Sequence, residues 1–329
     1  MITVKLSSCC PKWDWIRQTP NRDGTWGEHT FICNHEGKSC DYWVVYENLT
    51  KQEHSSCPKE NTVLITGEPP TIKTYHPKFL AQFQTIITCH PNVSHPNAIV
   101  SHLSLPWMIG YQPPKEIFSK SYRELTKTTK LPKTKLVSVI CSDKVFTTEH
   151  KKRLLFIQKL QEKFGDRIDF YGRGRNPIID KWDAIAPYKY HIALENSFIE
   201  HYWTEKLSDS YLAQSHPIYY GCPNIHDYFP KKSLTKIDIN KPEQAFKVIE
   251  QVITGNTYEQ SIETLEQAKK LVLNKYNIFP RLAKLCPQTD ISKPKPKTTL
   301  WPQEYFYKQD PKIKKITRRV KYFFTRRTP

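Results

Sequence analysis

Nowhere in the 329-residue chain is there an apolar run long enough to cross a bilayer; about 18 consecutive apolar residues would be needed for a helix to carry its backbone through hydrocarbon. A spanning helix is therefore excluded. The opening Met1-Ile-Thr-Val-Lys-Leu-Ser-Ser-Cys-Cys10 has neither the charged start nor the long apolar stretch of a secretory signal. A cytosolic chain is expected, in which the sequons at Asn48 and Asn92 are chance matches. No Cys-x-x-Cys pair occurs, and the nine cysteines are an odd number, which argues against a disulfide framework. The densest group, Cys33 and Cys40 with His29 nearby, is spaced more widely than the roughly two to four residues that separate paired zinc ligands. Reduced loop thiols are expected there, and no metal.

What is present is globular composition with a strong cationic excess: 50 Lys and Arg against 32 Asp and Glu, a net charge of +18, with 38% hydrophobic and 12% aromatic residues. Such a chain can bury real cores, and at this length it divides into about two domains. The first third reads as short strands in loop-rich surroundings, at residues 2–6, 42–46, 62–66 and 85–89. Between Tyr111 and Lys135 a Lys-rich, Pro-containing stretch reads as a connection between folding units. Beyond it the pattern alternates. Strand-like residues 136–141 precede a helical period from Thr148 to Phe164, and further strands are expected at 167–172, 190–196, 217–221 and 235–239, with helices after Thr204 and over 242–253. Alternation of this kind implies a parallel sheet covered by helices, with ligands at the carboxyl ends of its strands. The expected domains are 1–125, 126–286, and a linker plus basic tail over 287–329.

The most informative window runs from Tyr188 to Pro223. A strand ends in Glu195 and Asn196, a short loop follows, and Thr204 is placed to cap a helix whose first turn holds Glu205 and Lys206. Backbone N–H groups and the helix dipole favour phosphate there. A carboxylate such as Glu205 is the usual acceptor for a pair of ribose hydroxyls. Spacing alone equally describes, and by itself favours, an ordinary capped helix with a solvated Glu–Lys pair.

The string ALENSFIEHYWTEKLSDSYLAQSHPIYYGCP (residues 193–223) resembles the donor-site signature of the α-1,3/1,4-fucosyltransferases of glycosyltransferase family 10, in their bacterial form. Trp13-Asp-Trp-Ile-Arg-Gln18, Leu64-Ile-Thr-Gly-Glu-Pro-Pro70 and Phe170-Tyr-Gly-Arg-Gly174 are similar to other segments of that family, so the resemblance covers roughly residues 1–280. It implies an α/β chain of GT-B type, with two Rossmann-like domains facing a cleft. The N-terminal domain would bind the acceptor and the C-terminal domain GDP-fucose. The implied activity is inverting transfer of L-fucose from GDP-β-L-fucose to an N-acetyllactosamine-type glycan, α-1,3 rather than α-1,4, by a single displacement.

The resemblance also implies roles. Glu68, in Thr66-Gly67-Glu68, would be the general base; taken alone, a Glu before Pro-Pro reads as a turn residue. Arg153 would bind phosphate, with Lys151 and Lys152 as rivals in the same basic run. Glu205 would hold the ribose, and Asn196, Tyr202 and Lys206 the diphosphate or sugar. Where the family has Val and Ala, this chain has Trp203 and Ser210, changes that bear on packing. No Asp-x-Asp occurs, so no divalent metal is expected at the diphosphate, whose charge would fall to Lys and Arg. Tyr171-Gly-Arg-Gly-Arg175 lacks the third glycine of a dinucleotide loop and reads as a turn, with Arg173 or Arg175 near the site. Trp26, Trp43 and His35 are candidates for acceptor contact.

After Asp310 come eight Lys or Arg and no acid. In Lys312–Arg327 the residues Ile313, Ile316, Val320 and Phe323 share one helical face. A helix of this kind suits an anionic bilayer surface, or packing on its own domain. The expected place is therefore cytoplasmic and peripheral at the inner membrane face, which would suit lipid-linked or lipopolysaccharide glycans and Lewis-type products. Two other readings stand beside this one: a GT-B transferase using another nucleotide sugar, and a basic nucleic-acid-binding protein. The second is weakened because the charge concentrates in the tail and no nucleic-acid motif is found.

Overall fold

A computed structural model describes residues 1–141, 147–172, 174–287 and 295–310. The chain divides into two α/β units. Unit 1 holds Met1–Leu103, Pro113–Glu116 and the described residues from Phe279 onward, and unit 2 holds Ser104–Gln112 and Ile117–Ile278.

Unit 1 is built on strands β1 (Ile2–Ser8), β2 (Thr25–Trp26), β3 (His29–Cys33), β4 (Tyr42–Tyr46), β6 (Thr62–Ile65), β7 (Thr85–Thr88) and β8 (Ala98–Val100), with a separate β5 (Glu53–Ser56). Their order is β2-β3-β1-β4-β6-β7-β8. All neighbours are parallel except the short β2, which pairs antiparallel with β3. The order reverses at β1, which lies between β3 and β4. Tyr42–Tyr46 is buried throughout, as a central strand of a sheet covered on both faces must be.

In unit 2, β9 (Tyr111–Gln112) and β10 (Ile117–Phe118) form a small ribbon, followed by a helix at Tyr122–Lys127 that carries a capping box between Ser121 and Glu124. Part of the stretch read as a connection is thus folded structure. The main sheet contains β11 (Lys135–Ile140), β12 (Asp169–Tyr171), β13 (Tyr188–Leu194), β14 (His216–Tyr220) and β15 (Thr235–Lys236) in the order β12-β11-β13-β14-β15, all parallel. This is the doubly wound 2-1-3-4-5 order, with its switch point between β11 and β13. Helices Thr148–Phe164 and Pro242–Thr254 cover one face, burying Phe156, Ile157, Leu160 and Phe164 with Phe246 and Ile249. Helices Glu205–Leu212 and Thr257–Leu271 cover the other, burying Leu207, Tyr211, Leu265 and Ala268. Each buried Leu, Ile or Phe among these contributes about 1.5–3 kcal/mol.

Residues 297–309, expected within the linker and tail, instead form β16 (Lys297–Leu300), antiparallel to β5, and a helix at Gln303–Gln309. Leu300 and Phe306 join the core of unit 1. Their apolar side chains explain the difference: in this stretch Lys-Pro composition ends, and an apolar residue finds a buried site. The amphipathic helix expected over Lys312–Arg327 lies outside the described residues. Among the described residues, which include all nine cysteines, no disulfide forms. None of the described helices is long and apolar enough to cross a membrane.

Candidate active site

The switch point of unit 2 gathers the loop after β13 and the helix that follows β11. Thr147 caps that helix, accepting the His150 N–H. Glu195, the first residue after β13, is 1% exposed and its carboxylate accepts both the Thr204 N–H (2.8 Å) and the Thr204 hydroxyl (2.7 Å). It closes the loop 196–203 into a bracket. Thr204 in turn caps the helix Glu205–Leu212 by accepting the Lys206 N–H. The bracket depends on Gly221 after β14, because a Cβ there would strike the Glu195 Cγ and would lie 2.5 Å from the Tyr219 hydroxyl.

Charge is concentrated at this corner. Lys206 Nζ lies 3.0 Å from Glu205 Oε1, 3.3 Å from Thr204 Oγ1 and 3.8 Å from Glu195 Oε2. Lys181 Nζ lies 3.3 Å from the same Glu205 oxygen and 3.7 Å from Asp209 Oδ2. Burial raises the Glu205 carboxyl, but the two ammonium groups outweigh it and hold Glu205 well below the usual carboxylate range. Burial would lower Lys206, and Glu205 and Glu195 reverse that. Asp209, buried, is pushed up to about 6 despite Lys181. Burial, with Arg153 and Lys206 close by, lowers His150 to about 4, so its ring is neutral at pH 7. The Lys206 and Glu205 side chains keep 22% and 21% exposure, enough for a ligand to reach them.

The structure brings four of the expected donor residues together. Arg153 donates to Asn196 Oδ1, and its buried Nε has no hydrogen-bond partner among the described residues. Asn196, Glu205 and Lys206 share the bracket. Lys151 and Lys152 are exposed, Lys152 pairing with Glu149 at 2.7 Å; of the three basic neighbours only Arg153 turns inward. Tyr202 is 3% exposed, which leaves little of its ring for a ligand. Trp203 packs among Phe229, Tyr276 and Tyr228 at centroid distances of 5.1, 5.5 and 5.9 Å, and the Ser210 hydroxyl donates to the Lys206 carbonyl. Both departures from the family pattern serve packing. Arg175 sits in the turn after β12, and Arg173 lies outside the described residues. Lys181, Glu195 and Asp209 carried no role in the sequence reading; Glu195 and Asp209 lie inside the string 193–223 that could have marked them, and Lys181 lies outside it.

In unit 1, Glu68 follows β6 and is half-buried, with the His90 Nε2 at 2.9 Å from its backbone carbonyl. The turn is held by Glu47, which is 3% exposed. The Glu47 carboxylate accepts the Gly67 N–H, the Tyr75 hydroxyl at 2.6 Å and the Lys73 ammonium. Burial raises Glu47, and Lys73 with these hydrogen bonds brings it below its ordinary value. Only glycine fits at position 67, since a Cβ would sit 2.6 Å from Glu47 Oε2. Of the acceptor candidates, Trp43 is 0% exposed with its indole N–H on Ser7 and Lys5 over its ring; its burial in the central strand removes it from that role. Trp26 is half-buried on β2 and His35 is exposed after β3.

Residues 130–272 match the sequence profile of glycosyltransferase family 10 (fucosyltransferase), C-terminal part. Among curated proteins, the chain is 30% identical over 104 residues to the GDP-fucose protein O-fucosyltransferase 3 of Danio rerio, which is 31% of this chain and 22% of that protein. It is 29% identical over 96 residues to the α-(1,3)-fucosyltransferase FucT of Helicobacter pylori (27% and 20%) and 41% identical over 51 residues to an α-(1,4)-fucosyltransferase of Arabidopsis thaliana (16% and 13%). The matched segments thus span about a fifth or less of most of these relatives. Among solved structures, a crystal structure of an α1,3-fucosyltransferase with GDP superposes with a TM-score of 0.48 at 16% identity, covering 84% of this chain and 92% of that one.

Proposed function

We infer that this chain, whose residues 130–272 match the glycosyltransferase family 10 (fucosyltransferase) C-terminal profile, transfers L-fucose from GDP-β-L-fucose to a hydroxyl of an N-acetyllactosamine-type glycan, forming an α-1,3 linkage. The observation that carries the reading is the inward-facing Arg153 and Lys206 beside Asn196 and Glu205 at the switch point of unit 2. Their charges suit a nucleoside diphosphate, and Glu205 offers a carboxylate to ribose hydroxyls.

The reaction assigned is one in-line displacement. The Glu68 carboxylate takes the proton of the acceptor hydroxyl as its oxygen attacks the anomeric carbon from the side opposite GDP. The bond from that carbon to the β-phosphate oxygen breaks, GDP departs with the electron pair, and the β-linked sugar becomes an α-fucoside. Negative charge grows on the diphosphate, where Lys206 and Arg153 stabilise it without reorganisation. No divalent metal is assigned a part. The basic segment Lys312–Arg327 is assigned to an anionic membrane surface, which would place the enzyme at the cytoplasmic face near lipid-linked glycans.

The test is incubation with GDP-fucose and a panel of lactose, N-acetyllactosamine and its β-1,3 isomer, in chelator, following acceptor mass, with Glu68→Gln alongside. Gain of one deoxyhexose on N-acetyllactosamine, lost in Glu68→Gln while GDP still binds, is expected. Gain on the β-1,3 isomer instead would reassign the linkage, and gain on none of the panel would overturn the acceptor class. Absence of GDP binding would overturn the donor. Full activity of Glu68→Gln would remove the base. Deleting Lys312–Pro329 should preserve transfer to soluble acceptor while reducing sedimentation with anionic vesicles.

A further inference from the structure

Two consecutive side chains at the carboxyl end of β4, Glu47 and Asn48, organise the segment that follows β6. Glu47 adopts a φ of +68°, a left-handed conformation that residues other than glycine seldom take and that persists where surrounding contacts over-determine it. Both residues are buried. Glu47 is engaged by Gly67, Lys73 and Tyr75, and Asn48 by the carboxy-terminal helix Gln303–Gln309.

Glu68 lies in a segment, residues 66–76, that is neither strand nor helix. Backbone without a ladder must find its partners in turns and side chains. The Ile72 and Lys73 N–H groups close a turn on the Pro69 carbonyl at 2.9 and 3.0 Å. Past that turn, Lys73 and Tyr75 donate to the Glu47 carboxylate, which also accepts the Gly67 N–H. Residues 74 and 76 find their partners at the far end of the chain. The His76 N–H donates to Gln303 Oε1 at 3.1 Å, and the Tyr307 hydroxyl to the Thr74 carbonyl at 3.2 Å. Alternate residues of 73–76 therefore take alternate partners, Glu47 and the terminal helix.

The terminal helix is in turn pinned next to Glu47. Gln303, itself buried, donates its backbone N–H to Asn48 Oδ1 at 3.0 Å, and Asn48 Nδ2 donates to the two Glu304 carboxylate oxygens at 3.0 and 3.2 Å. β16 pairs with β5 along its whole length, and the Trp301 N–H donates to Gln82 Oε1 at 2.8 Å, so the helix cannot slide without breaking these bonds. A shift of residues 74 and 76 would carry Lys73 and Tyr75 with it and loosen Glu47 from the Gly67 N–H.

We propose that the carboxy-terminal segment 297–309 is a clamp on the loop of the base, and that Asn48 and Gln303 are positioning residues for Glu68, acting through Glu47 and Gly67. The proposal rests on the assignment of Glu68 for its effect on transfer, and on the hydrogen bonds alone for its effect on the loop.

The test uses the full chain with Gln303→Leu, Asn48→Asp, and the pair Asn48→Asp with Glu304→Gln. Asn48→Asp removes the donor to Glu304 and sets two carboxylates together; in the pair, the amide at 304 can donate back to position 48. Transfer kinetics, GDP affinity and hydrogen exchange of the amides of residues 66–76 are measured on each. In Gln303→Leu and Asn48→Asp, kcat should fall about 10- to 100-fold with acceptor KM and GDP affinity held within about twofold. Amide exchange at 66–76 should rise, and the pair should recover both. Wild-type exchange in β1, β4 and β6 reports that a variant is folded. An unchanged kcat in folded Gln303→Leu and Asn48→Asp would overturn the positioning role and leave the base assignment intact. A kcat lost without a rise in exchange at 66–76, or not recovered in the pair, would also overturn it. Exchange that rises and is recovered in the pair, in a chain that transfers no fucose to any acceptor, would keep the clamp and overturn the transferase reading.

Discussion

Lys181 and Glu205, 24 positions apart, meet with Nζ 3.3 Å from Oε1, on the same carboxylate oxygen that Lys206 approaches to 3.0 Å. Two cations therefore fix one carboxylate at the mouth of the site. Either alone would leave the Glu205 side chain able to rotate; together they define where a ribose diol would find its acceptor. Lys181→Met should raise the GDP dissociation constant about tenfold, close to 1.4 kcal/mol, and should lift the Glu205 carboxyl toward its ordinary range, moving the acid limb of GDP binding to higher pH. Lys181→Arg should restore most of the affinity. Calorimetry across pH reads both effects, and an unchanged Kd in folded Lys181→Met would remove Lys181 from the site.

Lys206 and Arg153 differ in how they are replaced. Lys206→Met removes a charge placed where the leaving diphosphate would develop its own, and losing one such preorganised group costs about 10²–10³ in kcat. Arg153→Lys keeps the charge but loses the planar fork that reaches Asn196, so a smaller loss is expected than in Arg153→Ala. Single-turnover rates separate chemistry from binding. Equal rates in wild type and Lys206→Met would show that the leaving group is stabilised elsewhere.

Gly67→Ala would test the frame around the proposed base. The new Cβ would fall 2.6 Å from Glu47 Oε2, forcing Glu47 or the turn to shift, an overpacking cost of about 1–3 kcal/mol. Transfer should fall sharply while GDP binding, which the proposal assigns to unit 2, is retained. Retained transfer would mean that Glu68 does not depend on this turn.

The sequence was most legible where local rules act alone. The helix Thr148–Phe164 and the strand Tyr42–Tyr46 carry their own period, cap and β-branched content, and both appear with the expected bounds. The short edges were not legible: β8, three residues long, and β16, a strand whose partner β5 is more than 200 residues away, depend on long-range pairing that no window contains. The same division runs through the site. Thr204, Glu205 and Lys206 form one contiguous capped turn, whereas Lys181 and Glu47 act only through residues distant in sequence, and an isolated Lys or Glu carries no local mark. Trp43 shows the converse error, an aromatic that composition offers to a ligand and the central strand buries.

Unit 2 hides three histidines whose protonation folding opposes. Burial lowers His191 to about 3, and His150 and His216 to about 4, against about 6.5 in the unfolded chain. Between those values the unfolded state binds more protons, so stability rises with pH and is lost as pH falls from 6.5 toward 4. At pH 4.5 each of the three removes up to about 2.7 kcal/mol relative to pH 7. Asp209, raised to about 6, acts in the opposite sense, as its protonated form is favoured in the fold; its contribution of about 2 kcal/mol does not offset three histidines. The unfolding midpoint should therefore fall by roughly ten degrees or more between pH 7 and 4.5. His216→Gln, which can still meet the Ser261 and Thr235 hydroxyls that His216 contacts at 2.9 Å, should flatten that dependence. A midpoint that stays level over this range, or a His216→Gln profile that matches wild type, would show that these rings titrate in the folded protein as they do in the unfolded chain.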